Sequence, residues 1–154
     1  MNDLASFMIN HDILQKGMYI SRVDGDVVTY DIRMKRPNRG DYLDNGAIHT
    51  FEHLFATYVR SGPKSDQIIY VGPMGCRTGF YFIVRDTLSH AETIRLVQEC
   101  FAYIRDFDEP EIPGAKHEQC GNYLNHDLAG AKLVAADMCE VLKNWTVEGL
   151  QYEG

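Results

Sequence analysis

The sequence predicts an α+β domain: a largely antiparallel sheet with helices packed against it. Three observations lead there. Short runs rich in β-branched and aromatic residues are separated by turn-forming residues. Longer segments carry apolar residues at helical spacing. The 154 residues contain no internal repeat and no low-complexity segment, so one domain over 1–154 is the expectation.

In chain order, Gly17 to Arg22 and Val27 to Arg33 flank Asp24-Gly25-Asp26, which has the turn chemistry of a hairpin. The second run alternates, with Val28, Tyr30 and Ile32 on one face and Asp31 and Arg33 on the other. Arg36 to Asn45 reads as a loop, followed by a helix from about Ala47 to Arg60 that Ser61-Gly62-Pro63 stops. Gln67 to Val71 and Gly79 to Arg85 are strands, joined by a tight turn at Gly72-Pro73-Met74-Gly75 that delivers Cys76. Ser89 and Glu92 form a capping-box pattern ahead of a helix carrying Ile94, Val97, Phe101 and Ile104. Phe107 to Glu118 is a Pro- and acid-rich connection. A last helix is expected from Asn125, as N-cap, to near Trp145, burying Leu128, Leu133, Val134, Met138, Val141 and Leu142.

Composition narrows the function classes. At 45% hydrophobic and 24% charged the chain matches soluble globular proteins. A net charge of −7 argues against nucleic acid, which calls for a basic surface. No apolar stretch approaches the roughly 20 residues of a membrane span. The N-terminus lacks the pattern of an export signal, so the cytoplasm is expected. There the four cysteines, none in a CxxC pair, are reduced thiols.

The strongest chemical signal is His49-Thr50-Phe51-Glu52-His53, an H-x-x-E-H pattern within the first helix. At about 100° per residue, the two histidines lie roughly 40° apart and Glu52 about 60° to the other side. All three share a face, and both imidazoles can reach one divalent ion. Phe51, Leu54, Phe55 and Tyr58 are left to anchor the helix in the core. The motif also suits an inverzincin-type metallohydrolase or peptidase, with Glu52 as general base and a downstream carboxylate, Glu140 or Glu148, as third ligand. Cys120, in Gln119-Cys120-Gly121-Asn122, is the competing third ligand and leaves one coordination position open. Cys100 and Cys139 lie within helices and read as core thiols. Cys76 sits at a glycine-flanked strand connection that can expose a thiol, with Arg77 its nearest cation in sequence. His126, at a helix start, reads as a supporting group rather than a ligand, and His90 as a surface residue.

These motifs together resemble the S-ribosylhomocysteine lyase family. The likeness is carried by Ser6-Phe7 with His11, Tyr30 to Arg33, Pro37-Asn38, Ile48 to Phe55, Met74 to Tyr81, Gln119-Cys120-Gly121 and His126-Asp127-Leu128, in the family's order along nearly the whole chain. Lys35 stands where the family commonly has a cysteine. The resemblance implies that His49, His53 and Cys120 bind one divalent metal, ferrous iron with zinc or cobalt as alternatives, and that no organic cofactor is needed. It implies that Cys76 and Glu52 move protons, that Ser6, His11, Asp31 and Arg33 contact substrate, and that the chain forms a homodimer with sites at the interface. The implied reaction is carbonyl migration along the sugar of S-ribosylhomocysteine, assisted by a Lewis acid, then β-elimination to homocysteine and 4,5-dihydroxy-2,3-pentanedione, the autoinducer-2 precursor.

Overall fold

Residues 9–153 are described by the structure, a computed structural model. The first hairpin forms as expected: β1 (Gly17–Asp24) pairs antiparallel with β2 (Val27–Arg33). β3 (Ile68–Pro73) and β4 (Gly79–Arg85) make a second hairpin, and β4 closes onto β2. The result is a four-stranded antiparallel sheet in the order β1-β2-β4-β3. Gly79 sits opposite Arg33, where β4 comes so close to β2 that a Cβ would stand 2.2 Å from the Ile32 carbonyl oxygen. Only glycine permits that approach, which sets the start of β4 beside the end of β2.

The sheet has one greasy face. Val28, Tyr30 and Ile32 of β2 and Phe80, Phe82 and Val84 of β4 are buried there. Helix α1 (Asn45–Ser61) lies on it, starting two residues earlier than its sequence suggests. Its Phe51 meets Phe80 at 5.2 Å between ring centroids, and Phe55 meets Phe82 at 5.1 Å. Phe101 of α2 (His90–Arg105) packs against both α1 rings, at 5.1 and 5.3 Å. Aromatic packing of this kind carries much of the core's burial energy. The Ser89 hydroxyl caps α2 by accepting the Glu92 N–H at 3.2 Å. His90 is not a free surface group: it is half-buried, and its Nδ1 lies 2.6 Å from the Tyr30 hydroxyl.

The third helix departs from expectation. α3 spans Leu128–Leu142 and its N-cap is Asp127, whose carboxylate accepts the Gly130 N–H at 2.8 Å. An ionised carboxylate at a helix N-terminus also meets the positive end of the macrodipole. Asn125 is held outside the helix, with its carbonyl bonded to His49. Ala131, Ala135, Met138 and Leu142 form the buried stripe, while Leu133 is 73% exposed. Leu133 lies about 200° around the helix from Ala131, on the far face. Small alanines let α3 approach its neighbours closely, and Leu128, Val134 and Val141 pack at the edges of the core.

After α3 the chain returns to the β1 edge. The Trp145 indole donates to the Met18 carbonyl at 2.9 Å, and Tyr152 stacks on Tyr19 with centroids 5.0 Å apart. No helix among the described residues is long and apolar enough to cross a membrane.

Candidate metal centre

α1 presents its polar face to the irregular segment between α2 and α3. His49 Nδ1 donates to the Asn125 carbonyl at 2.7 Å, and His53 Nδ1 donates to the Pro113 carbonyl at 2.8 Å. A carbonyl only accepts, so each Nδ1 carries the proton and each Nε2 keeps its lone pair free. Gly114, at φ 70°, turns the segment directly beneath His53, with its Cβ direction 3.3 Å from His53 Nδ1. The same segment brings in Cys120, whose Sγ lies 3.3 Å from His49 Nε2 and 3.9 Å from His53 Nε2. Nitrogen and sulfur ligands arranged tetrahedrally around one ion stand about 3.5 Å apart, from bonds of ~2.1 and ~2.3 Å. Two oriented imidazole lone pairs and a half-buried thiol at these spacings fit a divalent metal.

His126 joins the cluster, with the four donor groups within 4.8 Å of one another. Its ring stacks on His49, centroids 4.1 Å apart and planes 18° apart, and meets His53 edge-on. In-plane lone pairs of two stacked rings run side by side. His49, His53, Cys120 and His126 together are the residues that could hold a metal ion. Burial, then the neighbouring His49 and His53, push the His126 imidazole below its ordinary pKa. Glu52 is half-buried on the same helix. Glu140 and Glu148 are not members of the cluster, and among the described residues no carboxylate of the kind expected of an inverzincin joins it.

A second group of polar residues sits at the end of the sheet. Asp31 and Arg33 alternate onto the face opposite the core, where they form a buried bidentate pair at 2.7 and 3.1 Å. Burial works against the Arg33 charge, but Asp31 beside it more than offsets this, and the guanidinium pKa is raised. The Tyr152 hydroxyl donates to the same carboxylate at 2.7 Å. Arg33 Nη1 donates to the Thr78 hydroxyl at 2.8 Å, and Thr78 Oγ1 lies 3.1 Å from Cys76 Sγ. The exposed Cys76 thiol is thus tied to Arg33 through Thr78. Arg77 does not fold back onto it: with φ at 60° it turns away, 5.8 Å over the Tyr42 ring. Its carbonyl accepts the Leu43 N–H at 2.9 Å, tying the Cys76 turn to the chain entering α1.

The other expected residues are less engaged. His11 Nδ1 bonds locally to the Ile9 carbonyl at 2.9 Å, and Ser6 lies outside the described residues. Cys100 is fully buried and burial pushes its thiol pKa up, as it does for Cys139, which suits inert core thiols. Thr78, Tyr152 and Thr50 are the site residues that sequence reasoning missed. A Cys-x-Thr spacing at the start of a strand was the signal available for Thr78; Tyr152 gave none.

Comparison with known proteins identifies the family. The profile of the family described as S-Ribosylhomocysteinase (LuxS) matches residues 4–148. The chain is 48% identical to the S-ribosylhomocysteine lyase of Phocaeicola vulgatus, covering 99% of this chain and 98% of that one. It is 46% identical to the Porphyromonas gingivalis S-ribosylhomocysteine lyase and 43% identical to that of Borrelia garinii subsp. bavariensis, with 99% of each chain covered. The match takes in the histidine helix, the Cys76 turn and the Cys120 loop at once, and this chain belongs to the S-ribosylhomocysteinase family.

Proposed function

We propose that this chain, acting as one domain over its whole length, is a carbon–sulfur lyase. It cleaves S-ribosylhomocysteine to homocysteine and 4,5-dihydroxy-2,3-pentanedione, the autoinducer-2 precursor. The observation that carries the reading is the pairing of a histidine–cysteine cluster, able to hold a metal, with a separate, exposed thiol. A hydrolase has a use for the first and none for the second.

His49, His53 and Cys120 are the ligands in this reading. Their donor types suit ferrous iron, zinc or cobalt. When bound, the ion supplies Lewis acidity that makes C–H bonds beside the sugar carbonyl easier to break. Cys76 takes the proton from the carbon beside the carbonyl and returns it one carbon along, which shifts the carbonyl. The shift repeats until sulfur is β to the carbonyl. Glu52 moves protons at the sugar oxygens, then serves in the elimination, where a proton leaves the α-carbon and the C–S bond breaks to release homocysteine. Arg33 and Asp31, bonded to Thr78 and Tyr152, contact the substrate in this reading; His11 and Ser6 are assigned to the same task by the family resemblance alone. The homodimer, with sites at its interface, follows from the family resemblance and is checked by sedimentation. A cytoplasmic setting is consistent with four free thiols.

The test is thiol release from S-ribosylhomocysteine with metal analysis of the same preparation. One equivalent of divalent metal and stoichiometric homocysteine support the proposal. Peptide cleavage with no thiol release would overturn it in favour of the metallohydrolase.

A further inference from the structure

Thr50 and His126 form a device that the ligand set does not use. Thr50 is fully buried on α1, between the two histidines. Its Oγ1 accepts the Asp127 N–H at 2.9 Å and lies 3.0 Å from His126 Nδ1. A hydroxyl has one proton to give, and among the described residues His126 Nδ1 is the acceptor it reaches. Thr50 therefore donates to Nδ1, and the His126 proton resides on Nε2. If the ring were protonated, Nε2 would still carry a proton. That Nε2 is buried and has no hydrogen-bond partner among the described residues. A buried donor without a partner is costly, so it calls for an acceptor at this site. Cys120 Sγ has its contacts with His49, His53 and the Asn122 N–H, and none with His126.

We infer that His126 is a hydrogen-bond donor to the oxygen that occupies the open position beside His49, His53 and Cys120, and that Thr50 is the positioning residue that fixes its tautomer. The inference rests on the metal-site reading above. The stacked imidazole then holds a substrate oxygen from the side without competing for the ion.

The experiment uses the full chain loaded with Co2+, with acetohydroxamate as an oxygen-donor probe and cobalt absorption as the readout. His126→Ala should keep one cobalt and the thiolate-to-cobalt charge-transfer band. It should bind acetohydroxamate about 10- to 100-fold more weakly, the effect of one hydrogen bond to a charged acceptor. His126→Gln, whose amide N–H restores a donor, should recover part of the loss. Thr50→Ser should behave as wild type and Thr50→Val should weaken the probe, a contrast that shape alone does not produce. Loss of cobalt from His126→Ala would make His126 a ligand and overturn the inference. Unchanged acetohydroxamate affinity would also overturn it, as would a shift of the charge-transfer band alone, which would make the thiolate the acceptor. Failure of the wild-type chain to bind cobalt would instead remove the metal site itself.

Discussion

Two cysteines separate the roles within the site, because one belongs to the histidine cluster and the other to the Arg33 network. Cys120→Ala removes the one thiol from the histidine cluster, and the purified chain should lose its metal, as elemental analysis would show. Cys76→Ala leaves the His49, His53, Cys120 and His126 cluster in place. It should keep stoichiometric metal yet lose turnover by about 10²- to 10⁴-fold, the usual contribution of a proton-transferring side chain. Near-normal homocysteine release by this variant would remove Cys76 from the proton-transfer role. Thr78 connects that thiol to the buried Arg33–Asp31 pair. Thr78→Val should reduce kcat/KM about 10-fold, and Thr78→Ser should restore it, because the hydroxyl and not the methyl makes both contacts. The histidines were legible because helical geometry alone puts positions 49 and 53 on one face. Thr78 was not, since its importance depends on β2 lying beside β4, a long-range pairing that no local pattern announces.

Strands and helices differ in how plainly they announce themselves. β2 and β4 carry alternating buried residues and glycine or turn boundaries, and the expected limits of both match the structure. α3 starts later than expected because Asn125 and Asp127 are both good caps, and only tertiary context chooses between them. The His49 ring takes the Asn125 carbonyl, and the charged Asp127 side chain closes the first turn. The stripe of α3 differs as well: the sequence offers Leu133 as core, but close helix packing selects Ala131 and Ala135. At the junction of β2 and β4, Gly79→Ala would drive a methyl into the Ile32 carbonyl oxygen, at 2.2 Å. Urea unfolding should show a loss of about 1–3 kcal/mol, typical of overpacking. Because Thr78 is its neighbour, turnover should fall as well while metal content stays at wild-type level.

The C-terminal segment packs against the first strand, and its chemistry makes the stability of the whole fold fall in alkaline solution. Tyr19 is pushed up to about 12, by burial first and by the Asp31 charge second. Tyr152 is raised by the same two causes, in the same order. In the unfolded chain both phenols ionise near 10.0, so above that pH the unfolded state releases protons that the folded state still holds. The folded state binding more protons means that stability falls as pH rises, and is fully present below pH 10. Urea unfolding free energies should therefore decline steeply from about pH 10 to 12, without phenolate absorbance from these two rings before unfolding. Tyr152→Phe separates the contributions. At neutral pH it should cost about 1.5–3 kcal/mol, since it removes a hydrogen bond to the buried Asp31 carboxylate. In the alkaline range it should make the decline shallower, because one of the phenols that hold their protons in the folded state is gone. A wild-type slope in this variant would mean that Tyr152 does not tie the end of the chain to the Asp31–Arg33 pair, and that pair would then depend on Thr78 alone for its support.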